Sequence, residues 1–207
     1  MPDWNDIFNE KGKVFLKPHP DMKRLVKLFQ DKQVKRILDL GCGTGRHIIF
    51  FLKNGFELYG IDAAPKGLEI AKMWLEEENQ CAELLLHRIE EKLPFKDDFF
   101  DAIVSIQVIH HNFLDKIIIT IKEIERVLRK GGIIFITFPT LKLFKHKDYW
   151  DLVEVEPRTF IPQNGQEKDL PHHFFKKSEI YKLFKNFEIQ EMYIDKTNHR
   201  AILGIKK

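Results

Sequence analysis

The segment Leu38-Asp39-Leu40-Gly41-Cys42-Gly43-Thr44-Gly45 constrains this chain more than any other feature. A short apolar run ends in three glycines at alternate positions, and residues 47–52 then read as a helix. Glycine takes positive φ at little cost, so such a loop turns sharply and brings backbone against a bulky ligand. The helix that follows offers free N–H groups and a positive dipole end, which suit a carboxylate. The dinucleotide fingerprint G-x-G-x-x-G fails here. Counted from Gly41 its third glycine falls on Arg46, and counted from Gly43 it falls on Ile48. Asp62 ends a second apolar run 17 residues after Gly45. A carboxylate at that place can accept hydrogen bonds from both ribose hydroxyls, or can cap the helix opened by Pro65.

The rest of the chain repeats the same rhythm. Residues 36–40, 56–61, 83–87, 102–106 and 133–138 read as strands, and helices are expected between them. The clearest helix is 114–129, with Ile117, Ile121, Ile124 and Leu128 on one face and Gly131-Gly132 ending it. A further helix is expected over 21–31, where Met22, Leu25, Val26 and Phe29 share a face. Strands alternating with helices imply a parallel sheet covered on both faces, an α/β architecture. Residues 139–176 break the rhythm and read as an irregular insertion, of the kind that forms a substrate lid. A helix over 178–185 and an antiparallel hairpin of 187–194 with 201–205 complete the chain. Residues 1–32 read as an N-terminal flap and helix, and 1–207 as one domain.

Composition excludes several classes. No apolar run approaches the roughly 18–20 residues of a membrane span, and the acidic Met1-Pro2-Asp3-Trp4 start is no secretory signal, so a cytoplasmic protein is expected. Cys42 and Cys81 are too few for a disulfide framework and lack zinc-site spacing. The net charge of +3 permits an anionic partner without demanding one.

Candidate chemistry follows the fourth strand, at Ser105, Gln107, His110, His111 and Asn112, because the carboxyl ends of strands face the ligand crevice in such sheets. A second cluster, Leu170-Pro171-His172-His173-Phe174-Phe175, closes the insertion; its histidines and aromatics can shape an acceptor pocket or pin the loop to the core. A metal held by His111 with His172 or His173 lacks any supporting Cys or Glu-x-x-His spacing, and no metal is expected. Basic residues at Lys142, Lys145, His146 and Lys147, interleaved with Tyr149, Trp150, Phe160 and Phe174, can stack on nucleic-acid bases or simply be solvated.

Four stretches carry a family resemblance: Leu38–Gly45; Tyr59-Gly60-Ile61-Asp62; Leu93-Pro94-Phe95 with Phe99-Phe100-Asp101-Ala102-Ile103-Val104; and Arg126-Val127-Leu128-Arg129-Lys130-Gly131-Gly132. On these the chain resembles the class I S-adenosylmethionine-dependent methyltransferases, in the group that includes quinone-biosynthesis and tRNA wobble-uridine enzymes. The resemblance is strong over 33–138 and looser elsewhere. It implies a Rossmann-like, seven-stranded, mostly parallel sheet with an antiparallel last strand. It implies S-adenosyl-L-methionine as cofactor, with S-adenosyl-L-homocysteine as product. The cofactor-binding set it implies is Asp39, Gly41, Cys42, Gly43, Gly45 and His47, then Asp62 and Ala63, then Ile89 and Glu90, and Gln107 near the sulfonium. His110, His111 and His173 are the catalytic candidates.

The chain departs from the family in two places. Arg88-Ile89-Glu90-Glu91-Lys92 stands where relatives often place an aspartate for the adenine amino group, and Ala64 stands where they often place a capping serine. Losing that cap costs about 1 kcal/mol. The expected reaction is methyl transfer by in-line displacement to a small-molecule acceptor. The alternatives are an RNA acceptor, specifically a tRNA nucleotide, or a cofactor-binding subunit without its own catalysis.

Overall fold

The computed structural model describes residues 4–141 and 151–207. The basic and aromatic residues Lys142, Lys145, His146, Lys147, Tyr149 and Trp150, and the first three residues of the chain, lie outside that range.

The helices are α1 (Trp4–Lys11), α2 (Met22–Asp31), α3 (Arg46–Leu52), α4 (Pro65–Glu77), α5 (Leu114–Val127) and α6 (Lys177–Leu183). The strands of the main sheet are β1 (Arg36–Leu40), β2 (Glu57–Asp62), β3 (Glu83–Leu86), β4 (Phe100–Ile106), β5 (Leu128–Phe138), β9 (Phe187–Ile194) and β10 (Arg200–Lys206). They lie in the order β3-β2-β1-β4-β5-β10-β9. β1 pairs in parallel with β2 and β4, and β4 with β5, while β10 runs antiparallel to both β5 and β9. This is the seven-stranded sheet with an antiparallel last strand. The order reverses between β1 and β4, and the crevice at their carboxyl ends is where such sheets bind ligands.

Two apolar layers enclose the sheet. Alternate residues of a strand face opposite sides, and β4 divides accordingly. Ala102, Val104 and Ile106 join Met22, Leu25, Phe29, Phe51 and Leu68 on the side of α2, α3 and α4. Ile103 joins Ile117, Ile121, Ile124, Phe138 and Phe184 on the side of α5 and α6.

Three expectations need correction. The helix expected over 114–129 stops at Val127, because Leu128 turns extended and pairs with Phe100; Gly131 and Gly132 therefore lie within β5, past a register shift, and do not end the helix. The insertion is not wholly irregular: β6 (Leu152–Glu156), β7 (Thr159–Pro162) and β8 (His172–His173) form a separate three-stranded sheet. The N-terminal segment, read as a flap with its helix only at 21–31, also contains α1, with Phe8 buried against Ala64 and Ile70. Beyond α1 the segment is tied down by His19, whose Nε2 lies 3.1 Å from Asp195 Oδ2 on the β9–β10 turn.

Candidate active site

The glycine loop joins β1 to α3 and uses the freedom that its composition supplies. Gly41, Gly43 and Gly45 have φ of +82°, +52° and +88°. The Gly41 and Cys42 N–H groups donate to the Ile61 carbonyl at 2.8 and 2.9 Å, which anchors the loop to β2. A Cβ on Gly41 would meet both γ-carbons of Val108, at 2.3 and 2.4 Å.

Asp62 closes this arrangement from the end of β2. Its Oδ2 accepts from the Gly43 N–H at 2.7 Å and its Oδ1 from the Ala64 N–H at 2.8 Å. One carboxylate thus ties the glycine loop to the residue that precedes α4, while the first turn of α4 is capped from α1, where Asn5 Oδ1 accepts the Lys66 N–H at 2.8 Å. Burial raises the Asp62 pKa, and the backbone donors at Ala64 and Gly43 oppose that rise. Each carboxylate oxygen retains acceptor capacity beyond the one bond described.

Asp39, in β1, is buried, and its Oδ2 has no hydrogen-bond partner. Burial pushes its carboxyl up to about 7, with Arg46 opposing and Asp62 adding to the rise. His47 Nδ1 stands 3.9 Å away, beyond hydrogen-bond reach. The His47 ring is fixed from its other side, where Nε2 accepts the His19 backbone N–H at 3.2 Å. Burial and the neighbouring Arg46 hold His47 well below its ordinary pKa, so it is neutral.

The loop, the end of β2 and the end of β4 open on a cavity of about 760 Å³, within the range of roughly 300–1,000 Å³ common for small-molecule sites. Gly41, Cys42, Gly43, His47, Asp62, Ala63, Ile89, Glu90 and Gln107 line it, and so do His110 and His111. Asp39 and Gly45 are not in the lining. His173 is not in it either: it is fully buried in β8, with Nδ1 2.8 Å from Thr159 Oγ1 and Nε2 3.3 Å from Glu179. Glu90 spends its carboxylate on Arg88 Nε at 2.6 Å. Gln107 sits at φ +60°, its backbone N–H donating to Thr137 Oγ1 and its side-chain amide 3.2 Å from His199 Nδ1. A non-glycine residue at positive φ beside a cavity is a common mark of a functional site.

The wall also contains residues of the expected N-terminal flap and of the cluster that closes the insertion, together with Asn5, Arg46 and Glu167, which the sequence reading did not single out. Trp4, Asn5, Phe8 and Phe15 come from the N-terminal segment, Arg46 from α3, and Glu167 and Leu170 from the insertion. His110 and His111 stack with ring centres 3.9 Å apart, His172 packs edge-on against His111 at 4.5 Å, and Trp4 meets His111 at 5.6 Å. Burial holds His110 well below its ordinary pKa, and burial followed by His172 brings His111 down to about 3. Both imidazoles are therefore neutral at physiological pH.

A family model described as a methyltransferase domain matches residues 38–136. The chain is 37% identical over 106 residues to a probable tRNA methyltransferase 9B of Homo sapiens, covering 51% of this chain and 21% of that protein. It is 32% identical over 109 residues to the ubiquinone biosynthesis O-methyltransferase of Pelagibacter ubique, covering 51% and 43%. Among solved structures, an S-adenosylmethionine-dependent methyltransferase of Clostridium acetobutylicum shares the fold, with TM-score 0.75 and 14% identity over 97% of this chain and 96% of that one. The chain spans less than two thirds of these curated relatives, and 66% of an uncharacterized methyltransferase of Synechocystis.

Proposed function

We propose that this chain, which is similar to a methyltransferase domain over residues 38–136, transfers the methyl group of S-adenosylmethionine to a small-molecule acceptor held beside the histidines of the cavity. The observation that carries this reading is that one cavity is lined both by the glycine loop with Asp62 and Gln107 and by the His110-His111 pair, with Trp4 packed between Phe8 and His111. The cavity is also walled by α1 and by residues 165–167 and Leu170 of the insertion, both drawn from this chain. Such a recess suits a compact acceptor that enters whole.

The residues present fit the cofactor. The turn at Gly41 leaves no room for a side chain, so backbone alone faces the ligand there. Asp39 Oδ2 is buried without a hydrogen-bond partner and lies outside the cavity lining, so its link to the ammonium of the amino-acid moiety rests on the family resemblance. Asp62, held in place by its two backbone donors, has oxygens left to accept from ribose hydroxyls. Ile89 and Glu90 border the cavity where the adenine is expected, and Gln107 lines it as well.

S-adenosylmethionine supplies an activated methyl group on a neutral leaving sulfur. The chain's own task is then alignment and exclusion of water. Trp4 and Phe8 cover the cavity from α1, and Phe8 lies within 3.3 Å of the place a Gly43 Cβ would occupy. Neutral His110 and His111 orient the acceptor. With its pKa near 3, His111 is a weak base, so it acts as a hydrogen-bond partner and not as a strong proton abstractor.

Asp62→Ala is expected to weaken S-adenosylhomocysteine binding by roughly 1–3 kcal/mol, about 5- to 150-fold, because it strands ribose hydroxyls and frees the Gly43 N–H. Calorimetry checks this, and unchanged affinity would remove Asp62 from the cofactor site. The acceptor class is tested by incubating the protein with methyl-tritiated S-adenosylmethionine and cell extract. Label is expected in the small-molecule filtrate. Label that stays with macromolecules and is lost on RNase treatment would replace the small-molecule reading with RNA methylation.

A further inference from the structure

The geometry points to a transition-metal site formed by His110, His111 and His172, with Glu167 as fourth ligand, at the wall of the cavity. Each histidine offers one ring nitrogen, and the three nitrogens lie within 4.8 Å of one another. A tetrahedral zinc ion bound at about 2.0–2.1 Å holds its ligand atoms roughly 3.3 Å apart. The widest pair therefore closes by about 1.5 Å, a movement within reach of small ring rotations.

The hydrogen bonds around the cluster match this assignment. Nδ1 of His110 and Nδ1 of His111 are buried and have no partner, which leaves two imidazole lone pairs uncommitted. The Leu170 carbonyl lies 2.8 Å from His172 Nδ1. Backbone carbonyls that hold the second N–H of an imidazole are the usual way of aiming a metal-binding histidine. With Nδ1 so engaged, Nε2 is the ligand atom of His172, and Glu167 Oε2 already stands 2.7 Å from it. Opening that pair to roughly 3.3 Å seats both on one ion.

Three imidazoles and one carboxylate select zinc, cobalt, nickel or copper over calcium or magnesium. His110 and His111 also line the cavity, so an ion here faces the acceptor. An acceptor oxygen or sulfur bound to it loses its proton more readily. That role rests on the methyltransferase reading, whereas metal binding itself does not.

The test uses the full chain stripped with chelator and titrated with cobalt(II), followed by visible absorption and by displacement with zinc. Uptake of about one equivalent in a tetrahedral environment is expected, with affinity lowered about 10- to 100-fold or more in His111→Ala and His172→Gln. S-adenosylhomocysteine affinity is expected to stay within about threefold in these variants, which also shows that they fold. Should the buried histidine variants fail to fold, Glu167→Gln, on the part-exposed insertion, is expected to lower cobalt affinity about 10-fold. No cobalt uptake by the parent chain, or uptake unchanged in these variants, overturns the site. Lack of metal uptake with S-adenosylhomocysteine binding intact sinks this proposal alone.

Discussion

Gly41→Ala is expected to abolish measurable S-adenosylhomocysteine binding and to lower Tm by roughly 5–15 °C. Gly41 has φ of +82°, where a residue with a Cβ is strained by about 1–2 kcal/mol. The added methyl would also meet Val108 Cγ1 at 2.3 Å and its Cβ at 2.9 Å, so Val108 cannot escape by a rotamer change alone. Overpacking of this kind costs about 1–3 kcal/mol. For a chain of this size each kcal/mol shifts Tm by about 2–4 °C. Val108 follows Gln107 directly and precedes the His110-His111 pair, so its displacement disturbs both sets of lining residues. Adding Val108→Ala should recover part of the lost Tm by relieving the contact, leaving the strain at φ. Thermal melts and calorimetry of the single and double variants check both parts. Full binding by the single variant would mean that the loop does not hold the cofactor.

The second large effect concerns Asp39. Its carboxyl is raised to about 7 in the folded protein, chiefly by burial, against an ordinary value of 3.8. A group raised by folding favours the folded state while protonated, so its stabilising contribution is full below about pH 4 and is lost as pH rises through about 7. The difference corresponds to roughly 4 kcal/mol. Asp39→Asn removes this loss, so the cofactor-free variant should melt higher than the parent at pH 8, with the gap closing towards pH 4. Ligand binding should show the opposite preference. The family resemblance implies that the cofactor's ammonium pairs with the ionised Asp39, which lies outside the cavity lining, and such pairing displaces a proton below pH 7. Affinity of the parent is expected to rise up to tenfold per pH unit between about pH 5 and 7 and then level off. Asp39→Asn should flatten that profile and weaken binding at pH 8. Melts across pH, with calorimetry in buffers of different ionisation enthalpy, measure both. A parent profile without proton release would place the ammonium elsewhere.

Much of this was legible in the residues because it depends on local pattern. The alternation of apolar runs with helical faces led to a seven-stranded sheet, and the spacing of Gly41, Gly43, Gly45 and Asp62 led to one crevice. Of the two readings of Asp62, the helix cap falls to Asn5 instead, and the carboxylate holds the glycine loop and the Ala64 N–H. What escaped depends on contacts between distant segments. Trp4, Ile7 and Phe8 stand at helical spacing but span little more than one turn, and it is their packing on His111, Ala64 and Ile70 that makes α1 part of the site. His172 and His173 are adjacent and look alike in sequence. The strand they form turns them to different neighbours, His172 to His111 and Glu167, His173 to Thr159 and Glu179. The helix at 114–129 ran two residues long because Leu128 continues the helical stripe, yet its backbone is claimed by β4.

The central claim is that the crevice between β1 and β4 holds S-adenosylmethionine, and calorimetric titration of the purified chain with S-adenosylhomocysteine tests it most directly. Binding of about one equivalent is expected, tighter at pH 8 than at pH 6, with NAD giving no heat under the same conditions. Absence of S-adenosylhomocysteine binding, or binding of NAD in its place, would contradict the account.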